Sequence, residues 1–485
     1  MEVDVLLQEI SDYCRKTGLA ESTFGRLAVN DGKFVNRLRD GGRITTSTLQ
    51  QVRSFIAAHP EPRGRRSRSF IVEKAHSGAI PAPRIDAGSI SSVGAPLAVA
   101  PAAPDLPETS GTKSRNFRFY DNRQKYLLFV NTCSEKWVVA QRVAMELSNL
   151  HPRPPAIRVF DAGVGDGTVL TRVMRAMHNR FTHMPLYVVS KEISLEDVRL
   201  TLDKLPDRFF EHPSTVFVIT NMYYKEAPWL VPQSVSAATS LTWHELSLSG
   251  STAHDFEQQI TALQPFLAEN WRAGMSKTTG NPVYERPTVL VIYRDDHKFL
   301  LDPIIPRRGG ARADYDLVIA SQPYRLRAPL EFKAEKVLAP LARSLGPGGR
   351  LLGIHSHGGD PGLEVLQGIW PGENPFQHDR HQLLKAVKRS LAGFSRHLNF
   401  NAYADARSIF RYDMHTLPSE ISESIGTSTL LAAWNDAVYV GQIEDARLEE
   451  VISDRRYLDA TREVLQRHGG LWFYDESYVI SRHRE

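Results

Sequence analysis

The segment Val159-Phe160-Asp161-Ala162-Gly163-Val164-Gly165-Asp166-Gly167-Thr168 constrains this chain more than any other. An apolar run that breaks into glycines at alternate positions predicts a buried strand. Its loop brings bare backbone to a ligand at the carboxyl edge of a parallel sheet. The spacing is G-x-G-x-G and not the G-x-G-x-x-G of dinucleotide binders, because Thr168 stands in the third glycine's place.

The 485 residues suggest about three domains, with ample material for a core. No apolar run is long enough to span a bilayer, and Met1-Glu2-Val3-Asp4 is unlike a secretory signal. The two cysteines, Cys14 and Cys133, lie far apart without metal-ligand spacing, which suits a reducing cytoplasm. Charge is uneven: from Lys33 to Arg68 nine basic residues stand against Asp40 and Glu61, an excess that points to a polyanionic partner.

Three parts follow. Residues 1–60 read as a small helical unit. Val5, Leu6 and Ile10 stripe a first helix, and Phe24, Leu27 and Ala28 a second. Asn30-Asp31-Gly32 signals a turn before a third helix over Lys33 to Arg39, which Gly41-Gly42 ends, and Thr45 or Thr46 caps a fourth. Ser22 to Ala28 followed by Phe34 to Leu38 resembles a repressor-type helix-turn-helix, the alternative being a protein-protein module. The resemblance implies a recognition helix carrying Lys33, Asn36, Arg37 and Arg39. Residues 61–115, rich in Arg, Pro, Ala and Ser, read as a flexible linker that starts with the basic run Arg63 to Arg68. Residues 116–485 read as one α/β domain. A helix over Glu135 to Leu147 precedes the glycine-loop strand. Further strands are expected at Leu186 to Ser190, Thr215 to Thr220, Asp316 to Ala320 and Arg350 to His355, with a final pair at Ala437 to Gln442 and Ser477 to Ser481. An insertion at about 225–313 separates the third and fourth strands and offers an acceptor lid or an interaction surface.

With Asp161 two places before Gly163, the glycine loop resembles motif I of the class I S-adenosylmethionine (SAM) methyltransferases. In correct order after it come Glu192, ending Tyr187 to Glu192, then the fourth strand with Ser321-Gln322-Pro323-Tyr324, then Leu345-Gly346-Pro347-Gly348-Gly349. The resemblance implies a Rossmann-like class I methyltransferase sheet with helices on both faces, beside the small all-α helix-turn-helix domain. It implies SAM held by Gly163, Gly165, Gly167, Asp161 at the ammonium, Glu192 at the ribose hydroxyls and Asn221 near adenine. Asp166 either touches ligand or caps the following helix.

Ser321-Gln322-Pro323-Tyr324 resembles the (Asn/Asp/Ser)-Pro-Pro-(Tyr/Phe) motif of enzymes that methylate planar nitrogens, which makes Ser321 and Tyr324 the expected acceptor-site residues. Gln322 departs from that motif's proline. His355-Ser356-His357 offers a general base, His244 in the insertion a weaker candidate, and no metal site is expected. The expectation is a cytoplasmic SAM-dependent methyltransferase that transfers methyl in line. DNA is the partner expected through residues 1–68, the acceptor is unnamed, no membrane is involved, and a homodimer is an open assembly. The alternatives are a DNA-binding regulator with a SAM-sensing or vestigial domain, a nucleic-acid methyltransferase, and an aminopropyl transferase, whose loop Gly163 to Gly167 also resembles.

Overall fold

In the computed structural model the described residues are 2–17, 21–29, 31, 33–39, 46–58, 123–276, 282–417 and 425–484. They fall into two units, within residues 1–107 and 108–485. The linker expected over 61–115 with its basic run, the Asn30 and Gly32 turn positions and Gly41-Gly42 lie outside the described residues.

Among the described residues the first unit holds four helices: α1 (Glu2–Thr17), α2 (Glu21–Val29), α3 (Phe34–Arg39) and α4 (Thr46–Ala58). Leu6, Ile10, Phe24, Ala28, Phe34, Val35, Leu38 and Val52 meet in one core, the positions that the helical spacing marks. The Gly25 position faces the turn: a Cβ there would stand 2.3 Å from the Asp31 carbonyl oxygen, and the Asp31 N–H donates to the Gly25 carbonyl at 3.0 Å. Lys33, Asn36, Arg37 and Arg39 are exposed. Arg37 pairs with Asp31 at 2.7 Å and Arg39 with Glu21 at 2.5 Å.

The second unit opens with α5 (Arg123–Thr132) and α6 (Glu135–Glu146) and is built on a ten-stranded sheet among the described residues. Its central strands are β1 (Ile157–Asp161), β2 (Leu186–Lys191) and β3 (Thr215–Thr220), joined by α7 (Thr168–Arg180) and α8 (Leu195–Asp203). The insertion adds β4 (Thr242–Leu248), a small hairpin of β5 (Ala273–Met275) and β6 (Pro282–Tyr284), and β7 (Thr288–Arg294). Then come β8 (Tyr315–Ser321), β9 (Leu345–Ser356), β10 (Leu398–Asn401), β11 (Ile409–Asp413) and β12 (Trp472–Arg482). The strand order is β10-β12-β9-β8-β1-β2-β3-β7-β4, with β11 also on β12.

The five strands β3-β2-β1-β8-β9 are mutually parallel, whereas β12 runs antiparallel to β9 and β7 antiparallel to β3. This is a mixed α/β architecture with a large, mostly parallel, Rossmann-like sheet. Chain order reverses between β1 and β8, the switch point where open α/β sheets place ligands. Side chains alternate between two apolar layers, Ile157 and Val159 on one face and Phe160 on the other, so both faces are covered. Each such fully buried side chain contributes about 1.5–3 kcal/mol.

Two expectations change here. Residues 437–442 form no strand: Thr427–Val440 is a helix, with Leu430, Ala433, Trp434, Ala437 and Val438 buried. That helical stripe overrides the β-branched and aromatic character of the segment, and β10 takes the place beside β12. The insertion is also more than a lid or surface, because β7 and β4 widen the sheet beyond β3. Among the described residues no helix is long and apolar enough to cross a membrane, and Cys14 and Cys133 are both free and buried.

Candidate active site

The loop after β1 is held from both neighbouring strands. The Ala162 N–H donates to the Ile319 carbonyl at 2.9 Å, and the Val164 N–H to the Lys191 carbonyl at 3.1 Å. Its three glycines serve three purposes. Gly165 and Gly167 take φ of +55° and +79°, which favour glycine. A Cβ on Gly167 would stand 2.9 Å from the Thr201 Cα, so that position lets α7 pack on α8. Among the described residues a Cβ on Gly163 would meet nothing within 4 Å, leaving open space beside the loop. Asp166 fastens the loop: it accepts from the Tyr126 hydroxyl at 3.2 Å, from Lys204 at 3.0 Å and from the Thr168 hydroxyl. Burial opposes its ionisation, yet Lys136, the Thr168 hydroxyl and Lys204 hold its carboxyl below the usual range.

A cavity of about 570 Å³ opens at this edge. It brings together Asp161, Gly163, Gly165 and Glu192 with Ser321 and Tyr324, six positions that the sequence motifs single out. Asp161 is buried and accepts the Gly163 N–H at 3.1 Å. Burial, with Glu192 adding to it, pushes its carboxyl up to about 7 against the pull of that N–H and of Lys136. Glu192 Oε2 accepts the Gly165 N–H at 3.0 Å, and Oε1 accepts those of Ile193 and Ser194 at 2.8 and 3.0 Å. Three of a carboxylate's roughly four acceptor positions are thus occupied, and the one left is on Oε2, which a ribose hydroxyl would share with the Gly165 N–H. Burial and Asp197 raise the Glu192 carboxyl, opposed by Lys191 and the Ser194 and Ile193 N–H groups.

Gly167 and Asn221 are not among the lining residues. Asn221 braces the sheet instead, its amide donating to the Arg286 carbonyl at 2.9 Å and accepting the Thr288 N–H at 2.8 Å. His244 sits on β4 against the Phe266 ring, 4.6 Å between centroids, away from the cavity lining. Sequence reasoning missed Tyr126, Lys136, Lys191 and Tyr224, which do line it. Lys191 lies over the Tyr224 ring at 4.8 Å, and burial lowers its ammonium pKa against the opposing charge of Glu192. Its place beside Glu192 at a strand end was the available signal. Tyr126 and Lys136 come from helices before β1, where no local pattern marks them.

At the end of β8, Gln322 takes φ of +48° and its N–H donates to the Ile354 carbonyl at 2.9 Å. A proline can do neither, so the backbone here differs from an X-Pro-Pro-Tyr loop. The Gln322 amide donates to Ser356 Oγ at 3.1 Å and Asp475 Oδ1 at 3.2 Å, and the Tyr224 hydroxyl donates to the Pro323 carbonyl at 2.7 Å. The Tyr324 hydroxyl lies 2.9 Å from His355 Nδ1 and 3.1 Å from the Tyr478 hydroxyl. His355 Nε2 in turn lies 2.6 Å from Glu476 Oε1, and both residues are buried. No cluster able to hold a metal ion occurs among the described residues.

No protein-family model matches the chain, and no curated protein matches its sequence. Solved structures overlap it loosely. A geranyl diphosphate methyltransferase in complex with GPP and sinefungin is 11% identical, over 70% of this chain and 77% of that one, with a TM-score of 0.27. Loganic acid methyltransferase with SAH is 9% identical over 78% of this chain and 99% of its own, with a TM-score of 0.30. PKMT2 from Rickettsia typhi is 8% identical over 71% and 52%, with a TM-score of 0.25. These likenesses are too loose to define a shared fold, so strand order and cavity lining stand on their own.

Chemically, the cavity offers two carboxylates and open glycine backbone at one end, and at the other a hydroxyl, a phenol and strained backbone. The first set suits a cationic, hydroxyl-bearing ligand. The second suits a small polar group held against an aromatic ring.

Proposed function

We propose that the second unit is a SAM-dependent methyltransferase. The observation that carries this reading is the single cavity that joins Asp161, Gly163, Gly165 and Glu192, at the ends of β1 and β2, to Ser321 and Tyr324 after β8. The residues fit SAM on their own chemistry. Gly163 leaves space where a side chain would intrude, buried Asp161 gains a partner in an ammonium group, and Glu192 keeps an acceptor position for ribose. SAM supplies an electrophilic methyl group. Ser321 and Tyr324 orient the acceptor for in-line attack, a planar nitrogen being the reading favoured by their motif, and rate comes chiefly from that positioning.

Calorimetric titration of SAM into the purified chain tests the reading. Binding that Glu192→Gln weakens supports it, and a folded wild-type chain that binds no SAM refutes it.

A second role belongs to the first unit. The exposed Lys33, Asn36, Arg37 and Arg39 after the α2–α3 turn support DNA binding. Loss of label transfer to DNA on removing residues 1–60 would make the whole a nucleic-acid methyltransferase. Promoter protection without turnover would make it a regulator.

A further inference from the structure

The cavity's acceptor end continues into a buried chain of hydrogen bonds that the binding of SAM does not require. Glu476 and His355 are directly paired across β12 and β9. Glu476 accepts the Arg380 backbone N–H at 2.8 Å and its guanidinium at 2.9 Å. Burial opposes its charge, but His355, His357 and Arg380 hold the carboxyl well below the usual range. An ionised carboxylate only accepts, so the hydrogen between it and His355 sits on Nε2. Burial lowers the His355 pKa against the pull of Glu476, so the ring is neutral and Nδ1 carries a lone pair. The Tyr324 hydroxyl therefore donates to Nδ1, and Tyr478 donates to Tyr324. One lone pair on the Tyr324 oxygen is left. A base oriented by a third group is the arrangement that activates nucleophiles on many folds.

We propose that Tyr324, His355 and Glu476 form a proton relay, and that the acceptor enters as a neutral X–H group, a hydroxyl or an N–H, that must lose its proton as it is methylated. This rests on the methyltransferase reading above. In the step, the X–H proton passes to the Tyr324 oxygen while the Tyr324 proton passes to His355 Nδ1. The freed pair on X forms the bond to the methyl carbon, and the carbon–sulfur pair leaves with sulfur. The products are a methylated acceptor, a neutral thioether and an imidazolium facing the Glu476 carboxylate. After product release the proton returns to solvent through the same bonds in reverse. Tyr324 is the catalytic residue, and His355 and Glu476 act through it.

The other charges around His355 oppose its protonation and so limit how long it holds the proton. Lys333 is buried, donates to the Leu326 carbonyl at 2.6 Å and lies 5.1 Å from the Tyr324 ring centroid. Burial brings its amine down to about 8, near the point where it sheds its charge. His378 lies 3.4 Å from that amine, His357 reaches Glu476 at 3.6 Å, and Arg380 backs the carboxylate.

The test is nitrogen NMR of the histidine rings in the full chain, with His355→Gln assigning the resonance. At pH 7.5 the expected result is a neutral ring with hydrogen on Nε2, and an Nδ1 signal that Tyr324→Phe moves toward an unbonded lone pair. Hydrogen on Nδ1, a doubly protonated ring, or an Nδ1 signal indifferent to Tyr324→Phe overturns the relay. SAM calorimetry on the wild-type chain separates this from the parent reading, since binding with the wrong tautomer sinks the relay alone. Where labelled SAM marks a phenol or an amide, Tyr324→Phe and His355→Gln should each lower kcat about 100-fold and abolish its pH dependence. Undiminished transfer in both variants also overturns the proposal.

Discussion

Glu192 Oε2 accepts the Gly165 N–H at 3.0 Å, so the carboxylate at the end of β2 is fastened to the glycine loop at the end of β1. The same side chain that would hold a ribose therefore shapes the loop beside it. Glu192→Ala should remove both functions, costing about 1–3 kcal/mol in urea unfolding through backbone donors left without an acceptor. Glu192→Gln keeps an acceptor oxygen and should cost less stability while still weakening SAM. Equal stability losses in the two variants would show that the carboxylate does not hold the loop.

Gly163 and Gly167 should respond oppositely to alanine. At Gly163 the added methyl meets no atom of the described residues within 4 Å and enters the cavity, so stability should stay within about 0.5 kcal/mol while SAM affinity drops. At Gly167 the methyl meets Thr201 at 2.9 Å on a backbone with φ +79°, and a loss of about 1–3 kcal/mol is expected. Chemical denaturation beside calorimetry reads both. A destabilised Gly163→Ala would mean that the space beside the loop is occupied.

The Asp161 carboxyl, pushed by burial from 3.8 up to about 7, gives a pH dependence of definite sign. Between those values the folded state binds the extra proton, so this group's contribution to stability falls as pH rises toward 7 and is level above it. An ammonium ligand needs the ionised form. SAM affinity should therefore rise with pH up to about 7, close to tenfold per unit in the acid range, and flatten in Asp161→Asn. A wild-type profile without slope from pH 5 to 7 would remove Asp161 from the site.

For the first unit the expected contacts are with phosphates. Arg37→Ala and Arg39→Ala should each lower affinity for duplex DNA and reduce the slope of log affinity against log salt by about 1. Arg37 and Arg39 pair internally with Asp31 and Glu21, so DNA has to compete for both cations. An unchanged slope in the double variant would return α3 to a purely structural role.

Much of the second unit was legible because its cues are local. Alternating or continuous apolar runs marked β1, β2, β3 and the middle of β8, and the glycines at 163, 165 and 167 required a tight, approachable loop at the end of the first. Within residues 437–442 valine and tyrosine favour a strand, whereas the stripe from Leu430 to Val438 that decides for a helix lies mostly upstream. Asn221 directly follows β3, but its partners, Arg286 and Thr288, lie some 65 residues away on the insertion. Nothing around position 221 reports them.

The sequence by itself determined the order of β1, β2, β3 and β8 and the chemical types at the ends of β1, β2 and β8, since spacing and side-chain period act within a few residues. Only the tertiary structure decided that Tyr126 and Lys136 reach the cavity, that Gln322 bends where a proline cannot, and that His355 meets Glu476 across 121 positions of chain. Those pairings depend on strand register and on which elements pack together. These are properties of the whole sheet, and no single segment carries them.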